Sequence, residues 1–368
     1  MFGTSFSPCS SLIKQSRKGL VIFPHWVGDA VMAQSLLISL KKHYPQLMWE
    51  GLVTPWVHDV VQYMPEISKT HIFPLIHGKI QWSERKKIAQ QLHAHHFDVA
   101  LVLPNNFKSA LIPWFAKIPV RLGHLGEYRY GVLTHALPKK LHPTPQRMVD
   151  FYRHLLTLFD IEMTSQQDLP TIQVPLSQQQ HIVRKFQIEG SVISIAPGAE
   201  YGSSKQWKAH HCATLIQEIF AQSLCDHIVL LGSAKDALFA QQILEKITKN
   251  NFHLGKIHNL CGQTNLSEAI QILSISQAVV ANDSGLLHIA SALNREVIGI
   301  YGSTSPTWAP PLGAHTHILY QSLDCSPCRQ RECPLKHHRC MEEITPQQVL
   351  ALLQRGLAQT QQLARRKE

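Results

Sequence analysis

The feature that most restricts what this chain can fold into is an alternation. Short apolar runs, each the length of a buried strand, are separated by longer segments whose apolar residues recur at helical spacing. Residues 19–23 (GLVIF), 49–53 and 99–103 read as strands in the first half. Residues 29–43 carry Val31, Ala33, Leu36, Leu37 and Leu40 on one helical face, and Ser83 is placed to cap a helix bearing Ile88 and Leu92. A long periodic stretch at 148–159 reads as the helix that closes this half. Residues 164–175 are polar, contain Pro170 and Pro175, and read as a linker. The alternation then resumes, with strands at 192–196, 228–231, 278–281 and 297–301 and a polar amphipathic helix at 346–364. Such alternation predicts mostly parallel sheets covered by helices on both faces. The expected fold class is therefore α/β, as two Rossmann-like domains facing a central cleft, 1–170 and 171–368. Ligands in open sheets of this kind bind beyond the carboxyl ends of the strands, so chemistry is sought in the loops that follow them.

The length of 368 residues suits two cores of ordinary size, and 44% apolar with 16% charged residues is a globular composition. No stretch approaches the roughly 20 apolar residues of a membrane span, and residues 1–18 lack the apolar core of a signal peptide. A cytoplasmic location is expected. The net charge of +10 favours anionic partners. Lys14, Arg17 and Lys18 form one basic cluster, and Lys41, Lys42, Arg85, Lys86 and Lys87 are candidates for a basic surface. No nucleic-acid-binding pattern accompanies them, so an anionic substrate at a membrane face fits better than nucleic acid.

Three post-strand loops carry candidate chemistry. In the first, 24–29, Gly28 permits a tight turn and Asp29 opens the helix, either as its cap or as a base that deprotonates an attacking hydroxyl. The second, 196–207, is rich in small residues around Glu200 and Tyr201. Lys205 there is either a solvated lysine or a mobile positive charge for an anion. Its spacing is not that of a Walker loop. In the third, 282–288, Ser284, Gly285 and Leu286 begin a helix whose free N–H groups and dipole favour a diphosphate. Asp283 is placed to meet hydroxyls there and His288 to meet a phosphate oxygen; a plain helix cap is the alternative.

These three loops, in this order, resemble the landmarks of the family 9 glycosyltransferases. The Pro-x-Trp-Val-Gly-Asp and Ala-Glu-Tyr-Gly versions, with Cys-Ser-Pro-Cys…Cys-Pro…Cys at 325–340, are similar to its heptosyltransferase II branch. The resemblance implies a GT-B fold, an ADP-heptose donor held mainly by the C-terminal domain, and no required cofactor. The implied acceptor is an anionic lipid A–Kdo–heptose glycolipid on the N-terminal domain, with peripheral contact at the inner membrane. By it, Asp29 matches the catalytic base, Lys205 the diphosphate-binding lysine, Asp283 the donor-sugar aspartate and Ser284 to His288 the phosphate-binding turn. Asp236 is the nearest match to a ribose-binding acid. Ser203-Ser204 departs from the Pro-Ala expected before the lysine, and Ser284 stands where relatives can carry Thr. The first-heptose transferase is the near alternative within the family.

Cys325, Cys328, Cys333 and Cys340 have the spacing C-x2-C-x4-C-x6-C. Four thiolates can hold zinc, but the paired C-x2-C…C-x2-C arrangement is missing, and a structural loop of reduced cysteines is expected. Two other classes remain in view. A zinc-stabilised binding module is one. A dinucleotide-binding oxidoreductase is the other, and the absence of G-x-G-x-x-G after either half's first strand argues against it.

Overall fold

The computed structural model describes residues 4–5, 9–74, 79–138, 147–164, 168–247 and 254–365. The chain divides into two compact units, Met1–Thr171 and Ile172–Glu368. Of the linker expected at 164–175, residues 165–167 lie outside the described residues.

The first unit opens with α1 (Ser10–Gln15) and then alternates β1 (Lys18–Ile22), α2 (Val27–His43), β2 (Met48–Val53), α3 (Pro55–Val61), β3 (Ile67–Ile72) and α4 (Trp82–His93). It continues with β4 (Val99–Val102), α5 (Phe107–Phe115), β5 (Val120–Leu125), β6 (His135–Pro138) and α6 (Met148–Arg153). The strands form one parallel sheet in the order β3-β2-β1-β4-β5-β6. Parallel neighbours need crossovers, and helices supply them except between β5 and β6. Leu20, Ile22, Ala100 and Val102 pack against Ala89 and Leu92 of α4 and Ala110 and Ile112 of α5.

The second unit repeats the plan with α7 (Leu176–Phe186), β7 (Val192–Ala196), α8 (Ala209–Ala221), β8 (His227–Leu230), α9 (Ala237–Lys246) and β9 (Ile257–Asn259). Then follow α10 (Leu266–Ile275), β10 (Ala278–Asn282), α11 (Gly285–Ala292), β11 (Glu296–Tyr301), β12 (Thr316–Tyr320), α12 (Arg339–Glu342) and α13 (Pro346–Arg365). Its sheet order is β12-β11-β10-β7-β8-β9, again parallel. Reversal of strand order beside β7 and β10 puts the loops after those two strands next to each other.

Several details depart from the sequence reading. Helix α4 is capped not by Ser83 but by Gln81, in the left-handed region at φ 52°. The helix expected over 148–159 stops at Arg153 and tightens into a 3₁₀ helix, His154–Phe159. Its buried residues Leu155 and Leu158, and Leu156 and Phe159, are spaced by three, which is the 3₁₀ period. Arg85, expected on a basic surface, is 1% exposed. Its Nη1 donates to the Lys108 carbonyl (2.8 Å), and its guanidinium lies 5.1 Å from the Phe73 ring centroid. Strands β3, β5, β6, β9 and β12 were not marked by apolar runs at all.

His124, at the end of β5, is buried against the Phe151 ring at 4.0 Å, with Nε2 2.7 Å from the Phe151 carbonyl. Burial holds its pKa down at about 4. The unfolded imidazole takes a proton near its ordinary value of about 6.5, so acidification favours the unfolded chain. The first unit should lose about 3 kcal/mol of stability from this group between pH 6.5 and 4, and none of it above pH 6.5. Urea titrations at stepped pH will read this. His124→Gln should flatten the dependence, and an unchanged pH profile would contradict the assignment.

Candidate active site

In the first unit, β1 ends at Ile22 and α2 begins at Val27, so the intervening turn emerges at the carboxyl edge of the sheet. Trp26 occupies the N-cap and Asp29 the third position of the first helical turn, so Asp29 is not the cap residue. An acid in the first turn is favoured by the helix dipole. The turn is tied to its neighbour by Trp56 Nε1, which donates to the His25 carbonyl at 2.7 Å. Behind it, burial and then the Asp29 carboxylate raise the Tyr152 phenol well above its ordinary pKa. The Asp29 carboxylate is half-buried.

In the second unit, the loops after β7 and β10 are joined by one side chain. Asn282 is fully buried at the end of β10; its Nδ2 donates to the Pro197 carbonyl (2.6 Å), and its Oδ1 accepts the Trp207 N–H (3.2 Å). Both ends of the 197–207 loop are thereby fixed. Within that frame Lys205 Nζ lies 2.5 Å from Asp283 Oδ2, and Thr304 Oγ1 donates to the same oxygen at 2.6 Å. The other oxygen, Oδ1, lies 4.0 Å from His288 Nε2. Burial lowers the His288 pKa, Asp283 raises it and Lys205 lowers it, for a net lowering that favours neutral imidazole.

Helix α11 starts here, with Ser284 as a cap residue whose side chain makes no capping bond. Ser284 Oγ and His288 Nδ1 are both buried without a hydrogen-bond partner among the described residues. Orphaned polar groups beside a helix N-terminus and an ammonium are the chemistry of an anion site. Ser284, Gly285, Leu286 and His288, expected from the sequence, are thus brought together with Lys205 and Asp283.

The remaining candidates divide. The Tyr201 ring lies 5.0 Å from Lys205 Nζ, and its hydroxyl donates to the Arg329 carbonyl (2.7 Å). Glu200 turns outward to an ion pair with Lys235. Asp236 is buried and closes a capping box, accepting from the N–H and the hydroxyl of Ser233 at 2.8 Å each. Gly198 is needed beside it, since a Cβ there would sit 2.3 Å from Asp236 Oδ1.

The cysteine segment buttresses the lysine loop. Ser204 N–H donates to the Arg331 carbonyl (3.1 Å), and Ser204 Oγ is 3.0 Å from Ser303 Oγ. Gly202, at φ 154°, has the Arg331 carbonyl oxygen only 2.2 Å from where a Cβ would stand. Cys325, Cys328, Cys333 and Cys340 are free thiols that line one small cavity. Burial first, and then the three neighbouring thiols, push Cys340 up to about 11. Among the described residues, the ligand-type groups that gather within 4.8 Å of one another are Glu50, His71 and His95, and His210, His211 and Glu342, not these sulphurs. The Glu50 carboxylate is already bonded to Lys18 Nζ (3.0 Å) and His71 Nε2 (2.6 Å). Sequence reasoning missed the roles of Asn282, Thr304 and Ser303.

Comparison with known proteins places this geometry. Residues 85–339 match the model of glycosyltransferase family 9 (heptosyltransferase). The chain is 36% identical to lipopolysaccharide heptosyltransferase 2 of Escherichia coli (strain K12), covering 93% of this chain and 99% of that one. It is 35% identical to lipooligosaccharide heptosyltransferase 2 of Haemophilus influenzae, covering 92% and 99%. The solved structure of E. coli ADP-heptose lps heptosyltransferase II superposes with a TM-score of 0.80 at 33% identity, over 94% of this chain and 99% of that one. The chain belongs to glycosyltransferase family 9 and is a glycosyltransferase, its two Rossmann-like units being those of the GT-B class.

Asn282→Ala should free the Pro197 carbonyl and the Trp207 N–H together. Buried groups left unpaired cost about 1–3 kcal/mol each, so thermal unfolding of the second unit should drop by several degrees. An unchanged melting temperature would show that Asn282 does not hold the loop.

Proposed function

We propose that this protein is an inverting ADP-heptosyltransferase of the heptosyltransferase II kind. It moves L-glycero-D-manno-heptose from ADP-heptose to the first heptose of the lipopolysaccharide inner core. The acceptor is an anionic lipid A–Kdo–heptose, met at the cytoplasmic face of the inner membrane. The observation that carries the reading is the Lys205–Asp283 pair beside the α11 N-terminus, with Ser284 Oγ and His288 Nδ1 lacking partners. The relatives named above support the choice of donor and acceptor, since two are heptosyltransferases 2 and the superposed structure is an ADP-heptose enzyme.

In this reading Asp29 takes the proton from the acceptor hydroxyl as its oxygen attacks the anomeric carbon of the donor heptose. The bond from that carbon to the β-phosphate oxygen breaks, and its electron pair leaves with ADP. Negative charge then grows on the diphosphate. The Lys205 ammonium and the free N–H groups of the first α11 turn are fixed in place to receive it, which is where preorganised charge lowers a barrier most. Ser284 and His288 donate to phosphate oxygens, and Asp283 Oδ1 accepts from a donor-sugar hydroxyl. Gly28 and Tyr201 shape the loops, and no cofactor takes part. Glu200 pairs with Lys235, and Asp236 Oδ2 holds Ser233.

Asp29→Asn should lower turnover by about 100- to 10,000-fold, the usual range for a general base, while leaving ADP affinity unchanged. Turnover near that of the unaltered enzyme would reduce Asp29 to a first-turn acid. Substrate choice is tested by offering ADP-heptose with two truncated acceptors, one ending in Kdo and one bearing the first heptose, and weighing the products by mass spectrometry. Transfer only to the heptose-bearing acceptor is expected. Transfer only to the Kdo-ended one would reassign the chain to the first-heptose reaction.

A further inference from the structure

The first unit carries an aromatic and basic patch that its catalytic loops do not use. Trp82 at the start of α4 is 49% exposed, Trp114 near the end of α5 is 45% exposed, and Ile80 in the preceding turn is 42% exposed. The two tryptophans are one patch and not scattered residues. The Phe115 ring lies 6.1 Å from Trp82 and 5.0 Å from Trp114, and Lys86 Nζ lies 5.7 Å from the same ring. His93, about two turns further along that side of α4, has Nδ1 3.0 Å from the Ala116 carbonyl. Two half-exposed indoles packed on one phenyl ring are an uncommon thing to leave in water.

The surrounding charge is mostly basic, although Glu127 Oε2 accepts the Phe107 N–H at the start of α5 (2.8 Å). Lys79, Lys86, Lys87 and Lys117 are exposed and Lys108 is half-buried. The exposed acid of α4 is Glu84, two residues after Trp82 and hence about 200° around the helix, away from the face that meets α5. Arg85 contributes no surface charge, because it is buried under the patch and bonded to the Ile80 and Lys108 carbonyls. It does hold both flanks of the patch in place. The other basic candidates are spent locally: Lys42 pairs with Asp168, and Lys41 donates to the Pro45 carbonyl.

We infer that the α4–α5 face, through Trp82, Trp114, Ile80 and Lys86, docks the protein on an anionic phospholipid bilayer. Indole rings prefer the headgroup layer, where the ring body is apolar and the N–H stays wet, and nearby lysines are drawn to acidic lipid. The pairing of half-exposed indoles with lysines is what fits the headgroup layer of an anionic bilayer. Helix α4 follows β3, so its Trp82 end rises from the same carboxyl edge of the sheet as the loop bearing Asp29. The inference deepens the proposed reading, in which the acceptor is a membrane glycolipid, but its test does not need that reading.

The test is co-sedimentation of the full chain with vesicles that contain neither lipopolysaccharide nor donor. One set is phosphatidylcholine alone, and the other contains about a third phosphatidylglycerol. Binding to the anionic set is expected, weakening as salt rises. Lys86→Glu and the double substitution Trp82→Ser, Trp114→Ser should each lower the partition coefficient by about tenfold. These side chains are exposed, and an unchanged melting temperature will show that the variants fold. Equal binding to both vesicle sets, no binding, or binding indifferent to the substitutions would overturn the inference. So would concentration-dependent self-association that the tryptophan substitutions abolish, since a second copy would then be what covers the patch. If vesicles bind and the heptose-bearing acceptor is not used, the docking face stands and the substrate assignment falls.

Discussion

The Lys205–Asp283 ion pair is the contact on which the second unit's loops converge. Both side chains are largely buried, and taking two charges out of water costs more than an exposed pair would return. The protein offsets that cost with additional bonds on the same carboxylate, from Thr304, and with a rigid seat for the lysine between Tyr201 and the end of β10. Such a pair is weak support for stability and good support for a site. An ammonium already desolvated and aimed beside a helix N-terminus needs little rearrangement to meet a diphosphate. The unpartnered Ser284 hydroxyl and His288 nitrogen point the same way, because buried polar groups in a purely structural cluster are normally satisfied.

Much of this was legible in the sequence, and what was not has a physical pattern. The apolar runs at 19–23, 49–53, 99–103, 192–196, 228–231, 278–281 and 297–301 became β1, β2, β4, β7, β8, β10 and β11, all interior strands. The strands that escaped notice include β3, β6, β9 and β12, the edges of the two sheets. An edge strand buries less, so a sequence such as Ile67–Ile72 (ISKTHI) carries no continuous apolar signal. Strand β5 is interior and was missed for another reason. It contains Arg121 and His124, whose polar groups are satisfied by backbone carbonyls when buried.

The site shows the same division. Lys205, Asp283 and the Ser284–His288 turn announce themselves by position after strands, because a post-strand loop in a parallel sheet is where function gathers. The residues that hold them do not. Asn282 is one more polar residue at a strand end until the structure shows it bridging the Pro197 carbonyl and the Trp207 N–H. Ser204 likewise gains meaning only from the cysteine segment, which is distant in sequence and supplies the Arg331 carbonyl it needs. Long-range backbone partners leave no periodic trace, so pattern reading finds the candidate groups and overlooks the residues that position them.

In the proposed mechanism, Lys205 and the α11 N-terminus form a diphosphate site. Isothermal titration of ADP and adenosine into the protein and its Lys205→Ala variant tests it most directly. ADP is expected to bind the unaltered protein far more tightly than adenosine. The variant should lose about tenfold or more of its ADP affinity, with the adenosine affinity held. Equal loss for both ligands, or an ADP affinity untouched by the substitution, would contradict it.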